Sequence, residues 1–211
     1  YQLRIGPSRG IERPVITAGI DVVEWTKQGR AAAGVRFGQE ICIFLAQIKV
    51  IAFDADDTLW HNEHFYKDTE EKFKELLLGY MPGHYISREL LKTEIQNLPL
   101  YGYGIKAFTL SMIETAIKIS GKSVTGDDIE KIILYAKEML NQPVEILEDV
   151  EDVLKSLTGK YRLVMATKGD LLDQERKLMK SGLESYFHHI EIMSEKKEAD
   201  YEKLIKHLDI Q

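Results

Sequence analysis

The chain has 211 residues, 44% of them hydrophobic, and a formal net charge of -6 at pH 7. This length and composition allow one domain with a full core, or one domain that carries an insertion. The acidic balance, without a block of lysine or arginine, argues against a protein that binds nucleic acid through counterion release. A small anionic substrate held by a metal ion remains compatible with it.

The cellular location is predicted from the single cysteine and from the lack of targeting signals. Cys42 cannot form an internal disulfide, which suits a reducing compartment. Residues 41–53 are the most apolar stretch, but they are too few for a bilayer span and include Gln47 and Lys49. The first residues do not follow the order of a signal peptide. We therefore expect a cytoplasmic protein with no membrane partner.

Residues 1–48 contain several glycines and prolines without a sustained helical or strand period. We interpret this N-terminal segment as a poorly ordered arm or as sequence outside the folded domain. The following stretch, residues 49–60, is an apolar run that breaks into three carboxylates and a hydroxyl. The run predicts a strand buried on both faces, as in the middle of a parallel sheet.

The carboxylates after this strand lie where such a sheet presents its ligand site, beyond the carboxyl ends of its strands. Asp54 and Asp56 are two residues apart and point the same way if strand geometry persists. Two such carboxylates repel each other unless a cation lies between them or one of them keeps its proton.

Residues 63–141 show helical periodicity, which predicts four helices. We expect the first to end before Gly79 and Pro82, and the second to begin at an N-cap Ser87 and end near Asn97, before Pro99. The third is predicted over residues 105–120.

The fourth helix is predicted to begin at an N-cap Thr125 and to stop before Pro143. From residue 144 onward, short apolar strands alternate with helices. Strands are predicted at 161–166, ending in Thr167, and at 187–193. Helices are predicted at 147–157, at 171–180 before Gly182, and around 201–208.

The order of elements predicts an α/β fold with a Rossmann-like, doubly wound parallel sheet and a helical insertion after its first strand. Residues 49–61 and 144–211 would form the core, and residues 62–143 an inserted helical cap. The strand ends then present Asp54, Asp56 and Thr58, next Thr167, and finally Lys196 or Lys197.

These residue types suit phosphoryl transfer. One carboxylate can attack phosphorus, and a second can protonate the leaving oxygen and later deprotonate water. A hydroxyl and an ammonium group can hold the equatorial oxygens, and magnesium can screen the nucleophile from the anionic substrate.

The motif Asp54-Ala55-Asp56-Asp57-Thr58 after a hydrophobic strand resembles the hallmark of the haloacid dehalogenase-like hydrolase superfamily. Thr167 matches the second motif of that family. Lys196 matches the third motif best by its distance to Tyr201, with Lys197 as the alternative. The resemblance covers residues 49–211, and the helical block is similar to the α-helical cap of many members.

The resemblance implies a magnesium-dependent phosphohydrolase that acts on a small phosphorylated metabolite through an aspartyl-phosphate. Asp54 would be the nucleophile and Asp56 the general acid and base. The carboxylate of Asp54 and the backbone carbonyl of Asp56 would bind Mg²⁺, while Thr167 and Lys196 would hold the phosphoryl group. The rest of the predicted substrate-binding set lies in the two adjoining loops: Asp57, Thr58, Lys168 and Gly169.

One family feature is missing from the sequence. Members carry a fourth motif, one or two acids after a further strand, that completes the magnesium site. Asp200 and Asp209 follow no apolar strand, so we assign neither to this motif. We expect a chain that lacks the last strands of its sheet, with an effect on metal affinity and turnover.

Three other functions compete with the phosphohydrolase. A phospho-acceptor signalling domain uses similar residues but lacks the long helical insertion. A non-catalytic binding relative is compatible with the missing fourth motif. Haloacid dehalogenation is disfavoured because those members usually lack the second acid that Asp56 supplies.

Several single residues also have plain structural interpretations. His61 and His64 suggest a metal pair, but no third ligand is visible and the position resembles a hinge into the cap. Thr167 alone could cap the helix that begins near Asp170. Trp60 could pack under the cap.

Overall fold

A computed structural model of the chain describes residues 49–209, so the predictions for residues 1–48 and for Cys42 lie outside the described residues. The described part contains one sheet of three strands, β1 (Val50–Phe53), β2 (Arg162–Lys168) and β3 (His189–Met193). They lie in the order β1-β2-β3, and both pairings are parallel. The predicted α/β fold with a parallel sheet is confirmed.

Helices cover both faces of the sheet, because the central strand is apolar on both sides. The three helices of the core are α5 (Val150–Leu157), α6 (Leu171–Ser181) and α7 (Glu198–His207). Leu163 and Met165 of β2 pack in one cluster with Leu154 of α5 and Leu178 of α6. The alternate residues of β2 pack on the opposite face in a second cluster, which includes Leu204 of α7. This continuous burial is what the apolar run of β2 predicts.

The segment between β1 and α5 consists of four helices with a separate hydrophobic core. They are α1 (Glu63–Leu77), α2 (Gly83–Tyr101), α3 (Ile105–Ile119) and α4 (Gly126–Asn141). Each of the four helices contributes to this core a side chain that is at most 1% exposed: Phe73 from α1, Leu90 from α2, Met112 from α3 and Ile132 from α4. The four predicted helices are confirmed, and the exact limits of the cap at residues 62 and 143 stay a prediction.

The second of these helices differs from its predicted bounds at both ends. Pro82, and not Ser87, precedes its first turn, and the carbonyl of Pro82 accepts hydrogen bonds from the Tyr85 and Ile86 amides. Pro99 lies inside the helix, where it was predicted to terminate it. Pro99 lacks the N–H that would bond to the carbonyl of Ile95, so it removes one bond from the ladder, but the helix continues to Tyr101 and Gly102 still donates to Leu98.

Two helices of the core also begin at other residues than predicted. α5 begins at Val150, three residues later than expected, because Asp149 before it adopts a left-handed φ of 64°. α7 begins at Glu198, three residues before the predicted start at Tyr201. Its first turn is polar, so hydrophobic periodicity gave no signal there.

The start of α4 follows the sequence prediction closely. The Thr125 hydroxyl accepts a hydrogen bond from the Asp128 amide, and the Asp128 carboxylate accepts one from the Thr125 amide. This reciprocal capping box satisfies two amides that the helix itself leaves without partners. The predicted end of α6 before Gly182 is also observed, and Gly182 adopts a left-handed φ of 71°.

None of the helices between residues 49 and 209 is long and apolar enough to cross a membrane.

The capping box predicts the effect of one substitution on stability. Thr125→Ala should lower the free energy of unfolding by about 1 kcal/mol, because the Asp128 amide loses its acceptor. Urea denaturation followed by circular dichroism measures this. Thr125→Ser keeps the hydroxyl and should retain most of the stability, so an equal loss in both variants would contradict the capping role.

Candidate active site

The carboxyl ends of β1 and β3 bring an aspartate and a lysine into contact. Asp54 follows the last residue of β1, and Lys196 comes three residues after the end of β3. The Lys196 Nζ atom lies 2.6 Å from Asp54 Oδ1, which also accepts a hydrogen bond from the Ala55 amide at 2.8 Å. Lys197 is exposed at the start of α7. Of the two candidate lysines, the structure therefore places Lys196 beside Asp54.

The second predicted motif lies at the end of β2, next to Asp54. Thr167 is almost fully buried, and its hydroxyl lies 3.4 Å from the Lys168 carbonyl. The helix cap proposed as an alternative role for Thr167 is instead provided by Asp170, whose carboxylate accepts a hydrogen bond from the Asp173 amide. Thr167 is thus left to line the cavity described below.

Gly169 has a steric reason to be glycine. Its φ is 145°, and a Cβ atom there would lie 3.0 Å from Gln174 Nε2. The neighbouring Lys168 ammonium lies over the Tyr103 ring, 4.3 Å from its centroid. Both predicted residues of this loop line the cavity.

Asp57 and Thr58, also predicted to bind substrate, do not line the cavity. Asp57 Oδ1 accepts hydrogen bonds from the Asn62 and Glu63 amides at the start of α1. The backbone amide of Asp57 donates a hydrogen bond to the Trp60 carbonyl, and that of Thr58 donates one to the Ala55 carbonyl. Both bonds lie inside the loop. In this structure Asp57 holds the chain where it enters α1, and the substrate-binding role of these two residues stays a prediction.

Asp56 is held by three donors, none of which was predicted. Its Oδ1 atom accepts hydrogen bonds from Trp60 Nε1 at 2.8 Å and from Lys177 Nζ at 2.9 Å. Its Oδ2 atom accepts one from Gln174 Nε2 at 2.8 Å. Trp60 is fully buried in the core of the sheet, and it also lines a small pocket with Phe65 of α1 and Met139 of α4, so it lies at the junction of the sheet and the four-helix segment. These contacts fix the position of the second carboxylate.

Lys177 connects three parts of the fold. In addition to Asp56, its ammonium donates to Asn62 Oδ1 at 2.8 Å and lies 3.5 Å from Asp173 Oδ2. Asp173 lies one turn earlier on α6, and both side chains are largely buried. Loss of this lysine would remove the cationic partner of Asp56 and leave Asp173 with Arg176, at 3.8 Å, as its remaining cation.

A cavity of about 290 Å³ opens between the strand ends and helices α1 to α3. Its floor includes Asp54, Asp56 and Thr167. Its cap wall is formed by the side chains of α1, α2 and α3: Tyr66, Glu94, Asn97, Phe108 and Ser111. Asn97 Nδ2 donates a hydrogen bond to Ser111 Oγ at 3.2 Å. Of the predicted site residues, Asp54, Asp56, Thr167, Lys168 and Gly169 thus share a cavity with groups of the cap that sequence reasoning missed, whereas Lys196 is joined to it through its contact with Asp54.

Two titratable groups of the cap wall are perturbed. Burial raises the pKa of Glu94 to about 7, and the negative charge of Glu70 adds to the shift. Burial also raises the pKa of Tyr66, and the charges of Asp56 and Asp173 act in the same direction. Both effects indicate a wall that is poorly solvated and surrounded by negative charge.

The cap and the core are joined at the cavity rim by an ion pair. The Lys106 Nζ atom, on α3, lies 2.9 Å from both carboxylate oxygens of Asp170, the N-cap of α6. Gly104 lies close by, where an added Cβ atom would be 3.1 Å from Asp170 Cβ.

Among residues 49–209, no third side chain joins His61 and His64 in a group that could hold a metal ion. Their rings are 5.9 Å apart, and His64 lies 3.9 Å from exposed Glu145. Within residues 49–209, the one group of three side chains with ligand atoms close enough to share an ion is formed by His189, Glu191 and His207.

The perturbed pKa of Glu94 predicts a pH dependence of stability. The unfolded chain releases this proton near the ordinary pKa of 4.5, whereas the folded protein keeps it up to about pH 7. Between these values the folded state binds more protons, so stability falls as the pH rises, by at most about 3 kcal/mol.

Glu94→Gln removes this titration and should therefore stabilise the protein more at about pH 8 than at about pH 5. Chemical denaturation at both pH values measures the difference. Glu130→Gln, which removes the same charge from an exposed position on α4, should show no such change between the two pH values. A gain for Glu94→Gln that is equal at both pH values would contradict the assignment.

Comparison with known proteins identifies the family. Residues 48–211 match the family model of the haloacid dehalogenase-like hydrolases. No curated protein matches the chain. Among solved structures, a haloacid dehalogenase-like family hydrolase from Xanthomonas campestris is 38% identical, with a TM-score of 0.73 over 77% of this chain and 68% of that one.

Two more distant structures share the fold. The HAD-hydrolase YfnB from Bacillus subtilis, solved bound to magnesium, is 13% identical with a TM-score of 0.51, over 75% of this chain and 73% of that one. A 2-haloacid dehalogenase from Pseudomonas syringae pv. Tomato DC3000 is 19% identical with a TM-score of 0.52, over 78% and 74% of the two chains. From the family match and the Xanthomonas relative, we conclude that this chain belongs to the haloacid dehalogenase-like hydrolase family.

Proposed function

We propose that the protein is a magnesium-dependent phosphohydrolase that cleaves a small phosphorylated metabolite through an aspartyl-phosphate on Asp54. The observation that carries the proposal is the contact of Lys196 with Asp54 on the floor of a cavity that also contains Asp56 and Thr167. A nucleophilic carboxylate, a cation for the transferred group and a second carboxylate are thus gathered at one place.

In the first proposed step, an oxygen of Asp54 attacks phosphorus and the bond from phosphorus to the alkoxy oxygen breaks. The leaving oxygen takes a proton from Asp56 and departs as an alcohol. Lys196 and the Thr167 hydroxyl hold the equatorial oxygens, where charge is spread during the transfer. The product of this step is an acyl phosphate on Asp54.

In the second proposed step, water attacks the phosphorus and gives a proton to Asp56, while the bond from phosphorus to Asp54 breaks. Inorganic phosphate leaves, and both aspartates return to their starting states. Asp56 can serve in both steps only if its position is fixed. The hydrogen bonds from Trp60, Lys177 and Gln174 provide this.

The described residues supply part of a donor set for a magnesium ion, and no acid of this chain is assigned to the fourth motif that would complete it. Mg²⁺ is usually held by one or two carboxylates, several waters and the phosphate of the substrate. The Asp54 carboxylate and the Asp56 backbone carbonyl would supply the protein ligands, and Lys196 and the Ala55 amide both contact Asp54 through Oδ1. When bound, the ion would neutralise charge on the phosphoryl group. YfnB, which shares the fold, was solved bound to magnesium.

Phosphate esters are favoured over haloacids because of Asp56. Both reactions can begin with attack by an aspartate, but only the cleavage of an ester requires a proton for an alkoxide leaving group. The three donors that hold Asp56 indicate that its position matters. The cavity of about 290 Å³ suits a small metabolite, and a cytoplasmic location is part of the proposal.

The role of Asp54 is tested with p-nitrophenyl phosphate as a generic substrate. Asp54→Asn should lower the rate by about a thousandfold or more, because the amide is a poor nucleophile. Chelation of Mg²⁺ should abolish hydrolysis, and added Mg²⁺ should restore it. Mass spectrometry of acid-quenched protein should find the phosphoryl group on the peptide that contains Asp54.

Asp68→Asn is the matched control, since Asp68 is exposed on α1. Hydrolysis that survives Asp54→Asn, or that is indifferent to chelation, would rule out this mechanism. Halide release from a 2-haloacid without phosphatase activity would identify the protein as a dehalogenase instead.

The role of Lys196 can be separated from that of its neighbour. Lys196→Ala should lower kcat/KM by about a hundredfold or more, because the transferred group loses its cation. Lys197→Ala should have little effect, since this side chain is exposed. Steady-state kinetics on both variants, with circular dichroism to verify folding, gives the comparison. Equal losses in the two variants would show that Lys196 is not specifically required.

A further inference from the structure

Of the carboxylates that line the cavity, all but one have a cationic partner among the described residues. Asp54 pairs with Lys196, Asp56 and Asp173 with Lys177, and Asp170 with Lys106. The remaining carboxylate belongs to Glu94 on α2. No hydrogen bond or ion pair joins the Glu94 side chain to any residue between 49 and 209.

Glu94 is only partly exposed, so its carboxylate is removed from much of the solvent without compensation. Burial is the larger cause of its raised pKa, and the repulsion from Glu70 is the second. An uncompensated carboxylate of this kind is unfavourable in the empty cavity. A cationic group that enters the cavity would relieve both effects.

The surroundings of Glu94 also favour a cation. Tyr66 and Phe108 line the same wall, with ring centroids 5.1 Å apart, and their faces carry the negative side of the aromatic quadrupole. The two lysines that line the cavity are engaged elsewhere, Lys168 over the Tyr103 ring and Lys177 on Asp56.

We propose that Glu94, Tyr66 and Phe108 form a subsite for an ammonium group, so that the substrate is the phosphate monoester of a small amino alcohol. The phosphoryl group would lie at Asp54 and Lys196, and the ammonium group of the same molecule at the cap wall. This inference rests on the proposed phosphohydrolase function. A second anionic group is disfavoured at that wall, because it would face Glu94.

The choice of substrate tests the subsite. Wild-type protein should hydrolyse 2-aminoethyl phosphate with a kcat/KM about tenfold above that for n-propyl phosphate, which has a similar size but no charge. Glu94→Gln should remove this preference, whereas Glu130→Gln, the same change at an exposed position of α4, should keep it. A wild-type preference for n-propyl phosphate, or a preference that persists in Glu94→Gln, would overturn the proposal.

A third substrate separates a cation from a neutral hydrogen-bond donor. 2-Hydroxyethyl phosphate should be hydrolysed with a kcat/KM close to that of n-propyl phosphate, because a hydroxyl group brings no charge to Glu94. If it matched 2-aminoethyl phosphate, the subsite would be one for hydroxyl groups, and the proposed substrate class would be wrong.

Failure of the subsite and failure of the phosphohydrolase give different results. If p-nitrophenyl phosphate and n-propyl phosphate are hydrolysed without any preference for the ammonium ester, the subsite is wrong and the phosphohydrolase stands. If no phosphate ester is hydrolysed, the phosphohydrolase fails and binding tests the subsite alone.

The binding test uses 2-aminoethanol and 1-propanol with the full chain, followed by ligand-observed NMR. Saturation transfer to 2-aminoethanol that is absent for 1-propanol and lost in Glu94→Gln supports the subsite. Equal signals for the two alcohols, or no signal for either, would overturn it.

Discussion

Parallel pairing of three strands is the constraint on which the site depends. Because β1, β2 and β3 run in the same direction and are in register, their carboxyl ends lie side by side at one edge of the sheet. The parallel order of the strands is enough to bring together at this edge three residues from distant parts of the chain, Asp54, Thr167 and Lys196. A slip of one residue in β2 would turn its buried side chains to the opposite face and move Thr167 away.

Charge compensation is the second organising factor around the cavity. The site concentrates carboxylates, and the fold neutralises most of them with lysines from other elements. Lys177 is central, since one ammonium group serves Asp56 and Asp173 and also binds Asn62. Such a network carries a desolvation cost that good geometry must offset, so it fixes positions more than it adds stability. That is the property a general acid and base requires.

Most of the fold and the central residues of the candidate site could be predicted from sequence. The apolar runs that end in Asp54 and Thr167 favour strands clearly over helices. The spacing of Lys196 to Tyr201 selected, from two adjacent lysines, the one that the structure places beside Asp54. Local chemistry was equally informative at Thr125, where the cap depends on residues three apart.

What sequence could not provide depends on tertiary packing. Gln174 and Lys177 are ordinary polar residues of an amphipathic helix, and only the position of α6 against the β1 loop turns them towards Asp56. Glu94 gives no local signal either, because its burial results from the packing of α2 over the cavity. The Pro99 prediction failed because a proline can remove one hydrogen bond from a helix without ending the helix at that residue.

The pair of Lys106 and Asp170 has a consequence for access to the cavity. It bridges the four-helix segment and the sheet at the rim, and the Lys106 side chain is 58% exposed. An ion pair this open to solvent contributes no more than about 1 kcal/mol, and dissolved salt weakens it further. The two hydrophobic cores on either side are separate, so neither must be disrupted when this contact breaks. Breaking this contact at the rim of the cavity therefore costs little free energy, and the cost falls further as the ionic strength of the surroundings rises.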